Sequence, residues 1–196
     1  MPKDTLDIIV EQVRECTLCK LSENRMNAVP GEGSNFAKIM FIGEAPGRNE
    51  DQQGRPFVGA AGKLLTEALQ EAGMSREDVF ITNVVKCRPP NNRVPSEDER
   101  SACRPYLERQ IRLIDPKIIC ILGRTAYEAL LEGGSITSNR GKLIKRDNRF
   151  YFLTVHPAAL IYNPDLKSLF RRDIANMVNE LRKIESKRSP SLEDYT

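Results

Sequence analysis

Residues 81–93 read ITNVVKCRPPNNR, an apolar run that gives way within a few positions to Asn83, Cys87 and the stiff pair Pro89-Pro90. Taken from Val79, its apolar part VFITNVV (79–85) is a short β-branched segment of the kind that forms a strand buried on both faces. Three more such runs lie along the chain: KIMFIG (38–43), KIICILG (117–123) and FYFLTVH (150–156). Segments with apolar residues at helical spacing separate them, namely GKLLTEALQEAG (62–73), PSEDERSACRPYLERQIRLI (95–114) and RTAYEALL (124–131), and Leu166 to Ile184 follows the last run. Strands alternating with helices predict an α/β fold of three layers, a central four-stranded parallel sheet flanked by helices. A further helix over roughly Thr5 to Glu15 precedes the sheet, and Ser96 followed by Glu99 predicts a capping box on the helix that carries Cys103.

In a parallel α/β sheet the functional loops lie beyond the carboxyl ends of the strands. That rule gathers the unusual polar residues. GEAPG (43–47) follows the first strand, Asn83 closes the second, Gly123 follows the third and His156-Pro157 follows the fourth, so all are expected on one rim.

The 196 residues suit one globular domain over 1–196, with the tail SKRSPSLEDYT, from about residue 186, expected to fray. No stretch approaches the roughly 20 apolar residues of a membrane span, and the start MPKDTLDIIVEQ lacks the order of a secretory signal. A soluble, cytoplasmic protein with no membrane partner is expected. The net charge of +3 conceals an asymmetry, because residues 139–188 carry twelve Lys plus Arg against five Asp plus Glu. A basic quarter on an otherwise acidic chain is what a polyanion-facing surface requires, although an exposed basic helix has the same composition.

Five cysteines, an odd count without an export signal, argue against a disulfide framework. Cys120, inside KIICILG, reads as a small core hydrophobe. Cys16 and Cys19 form a C-x-x-C after the first helix, which suits a redox pair or half of a tetrathiolate site. Cys87 in its Pro-bounded loop and Cys103 on a helix complete four thiols, a set that serves zinc or an iron–sulfur cluster.

On the rim, GEAPG offers backbone N–H groups to an anion or a nucleobase, Phe57 in GRPFVGAAG is a core residue or a stacking platform, and His156 is the sole histidine. GEAPGRNED has neither the Lys nor the Ser/Thr that a P-loop places beside its turn.

The ordered set GEAPGRNED (43–51), GRPFVGAAG (54–62), TNVVKCRPPNNR (82–93) and HPAAL (156–160), together with the four cysteine positions, resembles the family 4 uracil-DNA glycosylases from about residue 10 to 180. The resemblance implies a [4Fe-4S] cluster on Cys16, Cys19, Cys87 and Cys103, and an enzyme that flips uracil from single- or double-stranded DNA and cleaves its N-glycosidic bond. It implies that Asn83 reads uracil, that Phe57 stacks on it, that the backbone of Gly43, Glu44 and Ala45 meets its polar edge, and that His156 hydrogen-bonds O2. Ala45 stands where the superfamily's first family has an aspartate, so Asn92 is expected to position the attacking water with Glu44 in support. Gly47 replaces that family's methyl-blocking tyrosine, which leaves Glu50 as the residue expected to exclude thymine. Leu160 is expected to wedge into the gap left by the flipped nucleotide. Arg140, Lys142, Lys145, Arg146, Lys167, Arg171 and Arg172 are expected to face phosphates. The chain is expected to act as a monomer, with a sliding clamp as a candidate protein partner.

Overall fold

The computed structural model describes residues 4–131, 139–146 and 149–186, so the expected frayed tail from residue 187 lies outside the described residues. The four apolar runs form β2 (Ile39–Gly43), β3 (Phe80–Asn83), β4 (Ile118–Leu122) and β6 (Arg149–Thr154). Each pairs with its neighbour in parallel. Two short strands, β1 (Glu32–Gly33) and β5 (Leu143–Arg146), add antiparallel edges and give a six-stranded sheet of order β1-β3-β2-β4-β6-β5. The expected four-stranded sheet is thus the centre of a wider one. Neither edge carries an apolar run. A Cβ at Gly33 would stand 1.9 Å from the Val79 carbonyl oxygen, so close approach and not hydrophobicity sets β1, while β5 reads LIKR and its charges suit an edge.

Pleating divides the strand side chains between two cores. Met40, Ile42, Phe80, Ile119, Ile121 and Leu153 face one side, where α1 (Leu6–Glu15), α4 (Glu97–Ile114) and α5 (Arg124–Leu131) cover them. Ile39, Phe41, Ile81, Ile118, Cys120 and Phe152 face the other, under α3 (Ala60–Glu71) and α7 (Leu166–Ser186). Cys120 is fully buried in that second core, as its apolar surroundings predict. The expected capping box starts α4: Ser96 Oγ accepts from the Glu99 N–H at 3.3 Å and the Glu99 carboxylate accepts from the Ser96 N–H at 2.8 Å. Two short helices carry no pattern that periodicity reads, α2 (Arg48–Gln53) after GEAPG and α6 (Ala159–Tyr162) after His156. No helix among the described residues is long and apolar enough to cross a membrane.

Candidate functional site

The carboxyl ends of β2, β3 and β6 open into one cleft, walled by Glu44 to Gly47, Glu50, Phe57, Asn83 and His156, with exposed Asn92, Arg93 and Tyr162 around it. Asn83 is 1 % exposed, and its Oδ1 has no hydrogen-bond partner. A buried amide oxygen left unpaired costs about 1 to 3 kcal/mol, so this atom points to a donor that arrives with a ligand. The neighbouring strand makes room: a Cβ at Gly43 would lie 2.5 Å from Asn83 Oδ1 and 2.6 Å from Phe57 Cζ.

Phe57 adopts a positive φ of 51° and is held there from behind. Arg76 donates to the carbonyls of Phe57 (3.0 Å) and Pro56 (2.8 Å) and pairs with Glu32 at 2.6 Å. Gly62 lets α3 approach, since a Cβ there would meet the Phe57 carbonyl oxygen at 1.8 Å. The Phe57 ring lies 5.6 Å from that of His156, tilted by 34°.

His156 is half-buried, and its Nδ1 accepts the Ala158 N–H at 3.2 Å. An imidazole that accepts at Nδ1 carries its proton on Nε2 when neutral. Burial pulls its pKa down to about 4, with Glu50 opposing, so the ring is neutral at pH 7 and offers an Nε2–H donor.

Glu50 braces two loops of the cleft. Its Oε2 accepts from the Gly47 N–H at 3.1 Å, and its Oε1 accepts from Val58 at 2.9 Å and Gly59 at 2.8 Å. Both oxygens are engaged by backbone, so any part in refusing a thymine methyl falls to the bulk of the side chain and not to a free carboxylate. Asn92 is exposed at the cleft, and its Oδ1 accepts from Arg88 Nε at 2.8 Å, leaving one lone pair for a water.

The residue expected to act as a wedge does not lie at the surface. Leu160 is 2 % exposed and packed in the second core, while the next two residues, Ile161 and Tyr162, are 47 % and 88 % exposed. The one-turn helix α6 turns Leu160 inward and its successors outward. Among the expected phosphate contacts, Arg140 instead makes a bidentate pair with buried Asp173, 2.8 Å to each oxygen, and Arg171 pairs with Glu71 at 3.2 Å. Arg146 donates to the Leu131 carbonyl. Lys142, Lys145 and Arg172 are exposed, and Lys167 is half-buried.

On the other side of β3, Cys16, Cys19, Cys87 and Cys103 line a single pocket with Arg25, Lys86 and Tyr106. Helix α1 ends at Cys16, Cys19 opens the next turn, Cys87 follows β3, and Cys103 lies on α4. The Cys87 sulfur accepts from Arg25 at 3.0 Å and the Cys103 sulfur from the Lys86 N–H at 3.3 Å. Burial pushes the Cys103 thiol up to about 11 and the Cys87 thiol upward, while Lys86 and Arg25 oppose it. The lining holds no carboxylate and no imidazole, so its four thiols are the principal ligating groups. No group of three or more His, Cys, Asp or Glu among the described residues is placed to hold a single metal ion.

Sequence reasoning did not single out Lys86, Arg76, Arg25 or Tyr162. The first three are basic residues in polar or turn-rich stretches, and no pattern distinguishes a buried cation from a solvated one before the fold is known.

A family model described as the uracil DNA glycosylase superfamily matches residues 30–182. A type-4 uracil-DNA glycosylase of Sulfurisphaera tokodaii is 54 % identical, covering 87 % of this chain and 82 % of its own length. Proteins of the same description from Thermotoga maritima and Archaeoglobus fulgidus are 45 % and 43 % identical, the former over 92 % of this chain and 97 % of its own length, the latter over 98 % and 99 %.

Proposed function

Because the chain belongs to the uracil-DNA glycosylase superfamily, we propose that it excises uracil from DNA, hydrolysing the N-glycosidic bond to release the base and leave an abasic site. The observation that carries this reading is the unpartnered, buried Oδ1 of Asn83. Uracil N3–H is a donor of the kind this oxygen lacks, and the Asn83 amide N–H can donate to uracil O4. Cytosine presents the opposite pattern at both atoms and would leave the amide unsatisfied. Phe57 supplies an apolar face for the flipped ring.

Bond cleavage places negative charge on the departing uracil. The neutral His156 ring, its Nδ1 tied to Ala158, directs Nε2–H at O2 as that charge grows, a contribution of about 3 to 4 kcal/mol. The sugar becomes cation-like at C1′, so a weakly activated water suffices as nucleophile. Water adds to C1′, the electron pair of the broken bond leaves with the base, and the proton lost by the water ends on the released uracil, which departs neutral. Glu44 at the cleft wall and the remaining lone pair of Asn92 are the groups assigned to that water. Exposed Tyr162, beside Ile161, takes the wedge role in place of Leu160. Lys142, Lys145, Lys167 and Arg172 remain the phosphate-facing set, with Arg140 and Arg171 committed to carboxylates.

Cys16, Cys19, Cys87 and Cys103 would hold a [4Fe-4S] cluster, since the pocket they line brings together four thiols and no carboxylate or imidazole. When bound, it would supply a covalent cross-link between the end of α1, the loop after β3 and α4. The test is alkali-induced strand cleavage after incubating brown, purified protein with oligonucleotides carrying one uracil, thymine or cytosine. Cleavage at uracil alone is expected; equal cleavage at cytosine, or none at uracil, overturns the reading.

A further inference from the structure

Among the described residues, Lys86 is the one basic side chain that is buried, at 1 % exposure. Its ammonium donates to Thr82 Oγ1 at 2.6 Å, Gln110 Oε1 at 2.7 Å and the Asn83 carbonyl at 2.8 Å, so all three protons are used. The first two acceptors are themselves fixed: Thr82 Oγ1 and Gln110 Nε2 both donate to the Pro30 carbonyl, at 3.0 and 2.7 Å. All three partners are neutral. A buried cation with no anion nearby carries a large desolvation cost, and one that persists needs a counter-charge.

The sulfur set beside Lys86 would be the source of negative charge, because a thiol that ligates metal is deprotonated. The Lys86 N–H donates to Cys103, and the residue precedes Cys87 and lines the cysteine pocket. The other end of the same residue holds the strand terminus that carries Asn83. Pleating explains the reach: Asn83 points its amide into the cleft, while Thr82 points to the opposite face, where Lys86 and Gln110 lie.

We propose that Lys86 is a positioning residue that fixes Asn83 for base reading, and that the thiolate centre supplies the counter-charge that keeps its ammonium in place. The cysteine centre and the base-reading amide are then one coupled unit, joined through a single side chain. This rests on the glycosylase reading and on the cluster assignment.

The test compares wild-type protein with Lys86→Met, which keeps the length and removes the charge, and with Thr82→Val, which removes one acceptor of the ammonium and leaves the lysine and the cysteines themselves unchanged. Three quantities are measured: absorbance of the brown centre, its midpoint potential, and single-turnover uracil and cytosine excision at saturating oligonucleotide. For Lys86→Met the expected result is retained absorbance, a more negative potential, a loss of uracil excision of about tenfold or more, and a narrowed uracil preference. For Thr82→Val a smaller loss is expected in the same direction, with the potential unchanged. Wild-type excision and preference in Lys86→Met overturn the proposal while leaving the glycosylase reading intact. If Lys86→Met fails to fold or to hold its centre, unchanged excision by Thr82→Val overturns it. A wild-type protein that is colourless or leaves uracil in place defeats the underlying reading, and this inference falls with it.

Discussion

Acidification tests the neutral donor at His156 most directly. The unfolded imidazole takes a proton near 6.5, whereas the folded ring resists it down to about 4 because burial disfavours the charged form, with Glu50 opposing. The folded value is depressed, so the unfolded chain binds more protons between the two pKa values, and the associated stability is complete above 6.5 and is lost as pH falls through the window toward 4. At pH 5.5 an ordinary imidazole is about nine-tenths charged, while one titrating at about 4 is only about 3 % charged. Single-turnover excision from a uracil oligonucleotide, with enzyme in excess, should therefore be flat between pH 8 and 5.5 and fall about tenfold per unit below about 4, provided cluster absorbance is followed in parallel. A midpoint near 6.5 would refute the burial argument. A rate that climbs as pH drops toward 5 would refute the neutral donor itself, since only an imidazolium acid gains from added protons.

Three further outcomes follow from the same geometry. Asn83→Asp removes the donor to O4, so uracil excision should fall by about 10- to 100-fold and the ratio over cytosine should narrow, measured as kcat/KM on matched oligonucleotides. Tyr162→Ala should weaken excision from duplex DNA by about tenfold with little change in melting temperature, whereas Leu160→Ala should lower stability by about 2 to 5 kcal/mol in thermal unfolding; the reverse pattern would restore Leu160 as the wedge. Cys103→Ser should abolish the brown absorbance, and iron analysis showing an intact complement would remove Cys103 from the ligand set.

The sheet was legible because its four central strands are buried on both faces and announce themselves as continuous apolar runs, IMFIG and IICIL most plainly. Its edges were not, because β1 is two residues set by a glycine's close approach and β5 is half charged. The rim was legible for a topological reason: parallel strands bring their carboxyl ends together, so GEAPG, Asn83 and His156 had to converge. What sequence could not resolve was direction within a turn. HPAALIY gives no sign that Leu160 faces the core and Tyr162 the solvent, because α6 is too short for a helical period to show. Charge was equally opaque: Arg140 and Lys142 stand two residues apart in one basic segment, yet one is locked to Asp173 and the other is exposed.

The end of β3 answers why a buried strand should close on Asn, Cys and paired prolines. Side chains alternate faces along a strand, so Thr82 and Asn83 necessarily address opposite sides of the sheet, and a slip of one residue would exchange them. Asn83 must pair in register with Gly43, since any Cβ there would strike its unpartnered side-chain oxygen. Thr82 on the reverse side must meet Lys86, which the chain can supply only by turning at once after the strand, and Cys87 follows directly into the sulfur pocket. Pro89 and Pro90 then hold the departing chain in a turn, bringing Asn92 and Arg93 back to the cleft. Sulfur-pocket and cleft residues are interleaved in sequence because one strand end, pleated, is shared by both faces.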